Sequence, residues 1–486
     1  MMRASSWGRS ILIASAFLGF SAAIALSQTF TKLVDFTNLN GADPFHTSLI
    51  QGFDGNLYGT TAYGGKFSCP PNGGCGTVFS LTEDGKITRN FSFNGFDGAY
   101  PFGGLIQASN GALFGTTSSG GLSGAGGSVF EFTPAGKLVT IYNFCAQTSC
   151  SDGDSPSASL LHARDGNFYG TTCQGGVFSN GTVYRISPIG VFTNLHSFNG
   201  FGDGACPYGP LMQGVNGQIY GTTSGGGINQ DGTVFSISPA GSVKTLYVFA
   251  GPPSDGAYPH GGLIQATDGS LYGTTLLGGS CPAEPQAGCG TIFKISATGV
   301  FTIVHNFCAG GDPCYDGQGP ADALILGSDG NLYGTTAFGG GVANAGTIFS
   351  ITPDGTLTTL HAVTSPFQEG KFPFTTLVQA TNGKFYGTME EGGAKGKGVI
   401  FSLDVSLAPF VSIQPSSGKV GTSVSILGNG LTGTTAITFN GTTASFRVVS
   451  DSLINAVIPP GATSGTVSVM TPTGALLSNL VFRVLP

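Results

Sequence analysis

Residues 262–307 read GLIQATDGSLYGTTLLGGSCPAEPQAGCGTIFKISATGVFTIVHNF, and this stretch decides the fold. Gly262-Leu263-Ile264-Gln265-Ala266 is a short apolar strand, and Asp268-Gly269 between two apolar runs is a hairpin turn signal. Ser270-Leu271-Tyr272-Gly273-Thr274-Thr275 is a second strand, closed by Gly278-Gly279. After a variable loop comes Gly290-Thr291-Ile292-Phe293-Lys294-Ile295, then a turn at Ala297-Thr298-Gly299, then a strand from Val300 to Phe307. The unit is two hairpins in series, which makes four antiparallel strands.

The unit recurs. A Tyr or Phe followed by Gly-Thr stands at Tyr58, Phe114, Tyr169, Tyr220, Tyr272, Tyr333 and Tyr386, at spacings of 56, 55, 51, 52, 61 and 53 residues. Self-similarity at this period, with short apolar runs and Gly turns, marks the blade of a β-propeller. Residues 29–36 (TFTKLVDF) match the fourth strand of the unit, whereas the last unit stops at its third, Gly398-Val399-Ile400-Phe401-Ser402-Leu403. Seven copies of every strand type result only if the N-terminal strand completes the last blade, a closure that removes exposed sheet edges. The expectation is therefore an all-β chain: a seven-bladed β-propeller over residues 28–405 closed by the N-terminal strand, followed by an immunoglobulin-like β-sandwich over 408–486.

Composition supports a packed, exported protein. Charged residues are 9% of the 486 and Gly numbers 82, but 40% apolar content with 37 Phe argues against disorder, which goes with few aromatics. Residues 1–27 look like a secretory signal peptide: Arg3 and Arg9 precede an apolar run from Ile11 to Leu26, and Ala25-Leu26-Ser27 offers small residues for cleavage. The run is short for a membrane span, so the mature chain is expected to have no transmembrane segment. Removing Arg3 and Arg9 takes the net charge from −7 to −9, which argues against nucleic acid as a partner.

Ten cysteines fit an oxidising compartment. Eight form close pairs flanking Gly/Pro-rich loops: Cys69/Cys75, Cys145/Cys150, Cys281/Cys289 and Cys308/Cys314. Cys173 and Cys206 are left, in adjacent units. No Cys-x-x-Cys occurs and no His stands beside the pairs at ligand spacing, so disulfides are favoured over zinc.

The double Gly after the second strand (Gly64-Gly65, Gly120-Gly121, Gly175-Gly176, Gly278-Gly279, Gly339-Gly340, Gly392-Gly393) and the preceding Tyr resemble kelch repeats, although the Trp of kelch strand four is missing. The repeats over about residues 40–403 resemble more closely the Gly-rich tandem repeats of exported bacterial proteins termed GloVer-containing. Residues 408–486 resemble an IPT/TIG domain through Pro415-Ser416-Ser417-Gly418, Gly421 to Gly428, Ile437-Thr438-Phe439-Asn440-Gly441, Ile454 to Pro459 and Ser464 to Val469. That resemblance implies a small immunoglobulin-like spacer or contact module. Period-2 runs between Gly/Pro turns give the same β-sandwich reading.

Candidate chemistry is sparse. The loops from strand four to the next strand one repeat Asp-Gly-x-x-Pro, with acids at Asp97, Asp152, Asp203, Asp255, Asp316 and, by substitution, Glu369. A ring of such acids around a mouth could bind Ca²⁺, since hard cations want clustered oxygens. The alternative is that each acid closes its own turn. His196, His305 and His361 share a strand-four position with Val34, Phe91, Tyr142 and Tyr247, which makes it a packing position; His46 and His260 sit near the start of strand one. No nucleophile elbow, His-Glu-x-x-His or phosphate loop appears, so no catalytic residue is named, and no cofactor is expected beyond calcium. Glu390 and Glu391, and Glu284 in the Cys281–Cys289 insertion, break the repeat, as grafted functions do. The loop aromatics Tyr63, Phe67, Tyr100, Phe178, Tyr208, Tyr258, Tyr315 and Phe338 do not recur, and among them Tyr63, Phe67, Tyr100, Tyr208, Tyr258 and Tyr315 form the expected ligand surface. Disulfides holding the variable loops rigid would preorganise that face. The expectation is a secreted, periplasmic or cell-surface protein that binds an extracellular glycan or protein without catalysis. A polysaccharide hydrolase or lyase, and a structural envelope component, are the alternatives.

Overall fold

The computed structural model describes residues 28–485 except 71, 72, 123, 125 and 134. The signal peptide expected over residues 1–27 lies outside them. The chain is all-β, with a single four-residue helix, Pro366–Glu369, and a 3₁₀ turn, Thr148–Cys150, among the described residues. No helix among them is long and apolar enough to cross a membrane.

Between residues 29 and 404 lie seven four-stranded antiparallel sheets, one per repeat. In the fifth, the strands are Ile264–Gln265, Leu271–Thr275, Thr291–Ile295 and Phe301–Asn306, paired in sequence order. The seventh takes its outer strand from the other end of the chain: Thr29–Asp35 pairs antiparallel with Val399–Asp404, Thr29 opposite Asp404.

The Tyr-Gly-Thr-Thr strand is buried on both faces in every repeat, and each residue has its own reason to be there. The Tyr ring packs between sheets; Tyr58 shares a core with Leu105, Leu113 and Phe130 of the next repeat. Its hydroxyl reaches back to the hairpin turn, as in Tyr58 to Asp54, Tyr169 to Asp165 and Tyr333 to Asp329, each 2.8 Å. The Gly makes room for the third-strand Phe: a Cβ at Gly273 would sit 2.5 Å from Phe293 Cζ. The second Thr hydrogen-bonds its cross-strand partner, as in Thr61 with Thr77 at 2.8 Å. In the seventh repeat both partners change together, and Met389 faces Val399.

Neighbouring sheets are joined by one recurring contact. The residue before each entry-loop Pro adopts a left-handed conformation: Asp43, Tyr100, Ser155, Cys206, Tyr258, Gly319 and Phe372. Its N–H donates to the loop of the preceding repeat, as in Tyr100 N to Cys75 O and Phe372 N to Ala345 O, both 3.0 Å. The Pro ring then lies on a glycine; a Cβ at Gly76 would meet Pro101 Cδ at 2.5 Å. The same contact joins the last repeat to the first: Asp43 N donates to Lys397 O at 3.0 Å, and Pro44 covers Gly398.

The five disulfides use all ten cysteines. Four are local, Cys69–Cys75, Cys145–Cys150, Cys281–Cys289 and Cys308–Cys314, and Cys173–Cys206 ties the third repeat to the fourth.

From Phe410 onward two further four-stranded sheets and a two-stranded parallel pair share one apolar core, which includes Val424, Ile426, Ile437, Phe439, Ile454, Val467 and Phe482. This region touches the strand one–two turns of three repeats. Ser452 Oγ donates to Phe53 O at 2.9 Å, Phe410 N to Thr381 O at 3.0 Å, and Arg483 to Val215 O at 3.0 Å. These are the first, seventh and fourth repeats, so it lies across the turn side of the repeat array.

Two substitutions test this accounting. Tyr184 stands where the other third strands carry Phe, and its buried hydroxyl has no partner among the described residues. Tyr184→Phe should raise the unfolding midpoint, with a gain of about 1 kcal/mol from lifting the desolvation cost. Met389→Thr should cost about 1–3 kcal/mol by burying a lone hydroxyl, and adding Val399→Thr should recover most of it in a denaturant titration.

Candidate functional site

Each entry loop runs from the outer edge of one sheet to the inner strand of the next. At its outer end the loop acid accepts hydrogen bonds from neighbours at its own turn. Asp203 accepts Asn199 N at 3.0 Å and meets His196 Nε2 at 2.9 Å. Asp316 likewise holds Cys308 N and His305, and Glu369 holds Thr364 N and His361. Asp152 and Asp255 accept Tyr142 and Tyr247 hydroxyls with nearby backbone N–H groups, while Asp97 accepts Asn94 N. Asn40 does the same for Thr37 N. The six expected metal acids thus stand at the outer strands, each on its own loop. Among the described residues no three of them approach within metal-binding distance.

At their inner ends the same loops converge. The residue after the Pro, or the next one, comes from every repeat: Phe45 and His46, Phe102, Ser157, Tyr208, His260, Asp322 and Phe374. His46 Nδ1 lies 3.2 Å from Asp322 Oδ2, joining the first repeat to the sixth, and Thr376 Oγ1 donates to Asp322 Oδ1 at 3.0 Å. The Tyr208 ring lies 5.2 Å from His46 and 5.0 Å from His260, and the two imidazoles are 6.2 Å apart. Together with Ser48, Ser157, Ser159 and Thr376 they enclose a polar cavity of about 20 Å³, which is room for a water-sized guest.

Aromatic rings surround this polar centre. Phe45 meets Phe102 at 5.9 Å and Phe374 at 5.4 Å; Tyr63 meets Tyr100 at 5.4 Å and Phe102 at 6.3 Å; Phe338 meets Phe374 at 6.1 Å. All these rings are half-buried. Burial, reinforced by the neighbouring His46, holds the His260 imidazole down at about 4 against the pull of Asp322. His260 is therefore neutral at pH 7. Its contribution to stability is present above 6.5 and is lost as pH falls through about 4. Burial and the Asp322 carboxylate push the Tyr208 phenol up.

The junction between the seventh and first repeats is charged. Glu390 and Asp43 occupy the positions that the Cys173–Cys206 disulfide holds between the third and fourth. Burial, with Glu391 and Asp43 nearby, raises the Glu390 carboxyl to about 7 despite Lys371. Burial also raises Asp43.

Of the expected ligand residues, Tyr63, Tyr100 and Tyr208 stand at the mouth. Phe67, Tyr258 and Tyr315 are exposed. Tyr100 also holds the first stapled loop, its hydroxyl donating to Cys69 O at 2.8 Å. Sequence reading passed over Phe45, Phe102, Phe374 and Asp322, and placed His46 and His260 without joining them. The available signal was the position after the repeated Pro, which changes chemistry from unit to unit while the Pro stays.

Because Glu390 ionises at higher pH in the folded chain than its ordinary 4.5, its stabilising contribution is full below 4.5 and is lost as pH rises through about 7. Glu390→Gln should flatten that decline. Melting curves from pH 4 to 9 check this, and parallel profiles for variant and parent would count against it.

Comparison with known proteins adds the family. No curated protein matches the chain. Among solved structures, it is similar to a fungal alcohol oxidase of the AA5 family in complex with copper, at 13% identity, TM-score 0.48, covering 95% of this chain and 100% of that one. It is also similar to PorZ, a surface component of the type-IX secretion system of Porphyromonas gingivalis, at 16% identity and TM-score 0.46, covering 93% of this chain and 60% of that one. The extracellular domain of the hybrid two-component system BT3049 from B. thetaiotaomicron follows at 12% and 0.49, covering 94% and 58%. The model of the Gloeobacter/Verrucomicrobia repeat matches residues 19–150, 71–284 and 253–447, and the chain belongs to that repeat family.

Proposed function

We propose that this chain is an exported, non-catalytic binding protein that recognises a carbohydrate at the mouth formed by its entry loops. In this reading residues 28–405 are a closed, kelch-like seven-bladed propeller, and residues 408–486 are an immunoglobulin-like domain of IPT/TIG type. The repeated inter-sheet contact, from the last repeat to the first as between all others, supports the ring. Five disulfides suit an oxidising compartment, and the apolar leader suits export.

The observation that carries the ligand class is the mouth itself. Half-buried aromatic rings at Tyr63, Phe102, Phe45 and Phe374 stand around polar groups at His46, Asp322, Tyr208 and Glu390. A sugar presents an apolar C–H face and a rim of hydroxyls, so it can use both. Phe67, Tyr258 and Tyr315 are more exposed and would touch a longer chain. The outer acids act as turn closers in this reading, so binding needs no calcium.

A second reading, a polysaccharide hydrolase or lyase, is favoured by one observation: His46, Tyr208, His260 and Asp322 converge from four repeats. A glycan array with the purified mature protein, with and without calcium, tests the first reading. Binding should survive chelation and fall about tenfold in Tyr63→Ala and Phe102→Ala, the scale of one lost aromatic contact. New reducing ends or unsaturated products on incubation would establish the enzyme instead. Silence on the array would move a protein partner to the front.

A further inference from the structure

Two guanidinium groups meet on the turn side, away from the mouth, where the third and fourth repeats face the C-terminal region. Arg164, at the hairpin tip of the third repeat, donates from Nη1 to Gly214 O at 3.1 Å. Arg483, on the strand Arg483–Leu485, donates from Nη1 to Val215 O at 3.0 Å. The acceptors are consecutive carbonyls at the tip of the fourth repeat, so the two cations are held side by side. We propose that this pair is a binding site for a phosphate group, as the free ion or as a monoester, seated between the repeat array and the C-terminal region.

Like charges repel, and this pair has no carboxylate to relieve it. Partial burial and the neighbouring Arg483 both press the Arg164 guanidinium below its ordinary range. Lys32, Lys294, Lys371 and Lys384 each meet an acid, whereas neither Arg164 nor Arg483 forms an ion pair among the described residues. Asp165, next to Arg164 in sequence, accepts instead from Asn167 at 3.0 Å and from the Tyr169 hydroxyl at 2.8 Å. The frame does not demand the pair either. Arg164 N donates to Gln213 Oε1 at 3.0 Å, as Val215 N does to Gln265 and Ser328 N to Gln379. That backbone contact recurs while the side chain does not: the other tips carry Phe53, Ser109, Val215, Thr267, Ser328 and Thr381, and Arg164 is the only cation. Arg483 is fixed from its own side, its N–H donated to Ser416 O at 3.1 Å and its strand paired with Ser417–Lys419.

The chemistry selects the ligand. A guanidinium carries several N–H donors in a planar fork and no acceptor. Each Arg gives one donor to a carbonyl, which orients the fork and leaves its other donors for a guest. Both side chains are exposed, so an ion reaches them from solvent. Two positive charges exclude a cation, and donors alone offer no acceptor to the hydroxyl protons of a neutral sugar. A carboxylate brings a single charge and fills a single fork. A phosphate monoester carries a charge of about −1.5 to −2 at pH 7 with strong acceptor oxygens, so it matches both guanidiniums at once.

The test is calorimetric titration of the full chain at low salt with inorganic phosphate and glucose 6-phosphate, with glucose and acetate as controls. Phosphate or its ester should bind with Kd on the order of 1 mM, more weakly as chloride is added. Arg164→Ala and Arg483→Ala should each weaken binding about tenfold, while Lys137→Ala, which removes an exposed cation elsewhere, leaves it intact. Arg164→Ala decides the matter even if Arg483→Ala loosens the C-terminal region. Tighter binding of the ester would identify an esterified ligand, and equal binding the free ion; either result supports the site. Absence of phosphate binding, acetate binding as tightly as phosphate, or the same loss in Lys137→Ala would overturn the proposal.

Discussion

The structure depends on a small inter-sheet lock: a residue held at positive φ, its N–H given to the loop behind, and the following proline laid over a glycine. A left-handed conformation before proline is costly for a residue with a Cβ, since such residues prefer extended backbone. Six of the seven entry loops bear that cost, and only Gly319 escapes it. The cost is met because the buried backbone donor finds a carbonyl and the proline ring finds a surface without a side chain. Each lock fixes the angle at which the next inner strand begins. What converges at the centre therefore follows from the contact made immediately before it in each entry loop.

A frame locked in this way separates two kinds of position. Tyr, Gly and both Thr of the second strand answer to local packing, so they recur and were legible from spacing alone. The paired change to Met389 and Val399 shows the same rule by exception: a buried hydroxyl pair can be replaced as a pair by apolar groups. The residue after the proline answers to nothing in its own repeat. It varies through Phe, Ser, Tyr, His and Ala, and the mouth is built from that variation.

The sequence reading accordingly succeeded on the strands, the N-terminal strand pairing and the local disulfides, where partners are near in sequence. The mouth was harder. His46 and Asp322 are 276 residues apart, and no spacing rule connects them. The strand-four histidines read as packing residues, but His196, His305 and His361 also hold the loop acids, a pairing across a turn whose length differs in each repeat.

The strand at Thr29 begins next to Asp404, where the third strand of the last repeat ends, and the C-terminal sheets leave from the same side. The molecule therefore has a back and a front. Whatever is joined through either of these elements sits behind it, and the aromatic mouth faces away from any such tether.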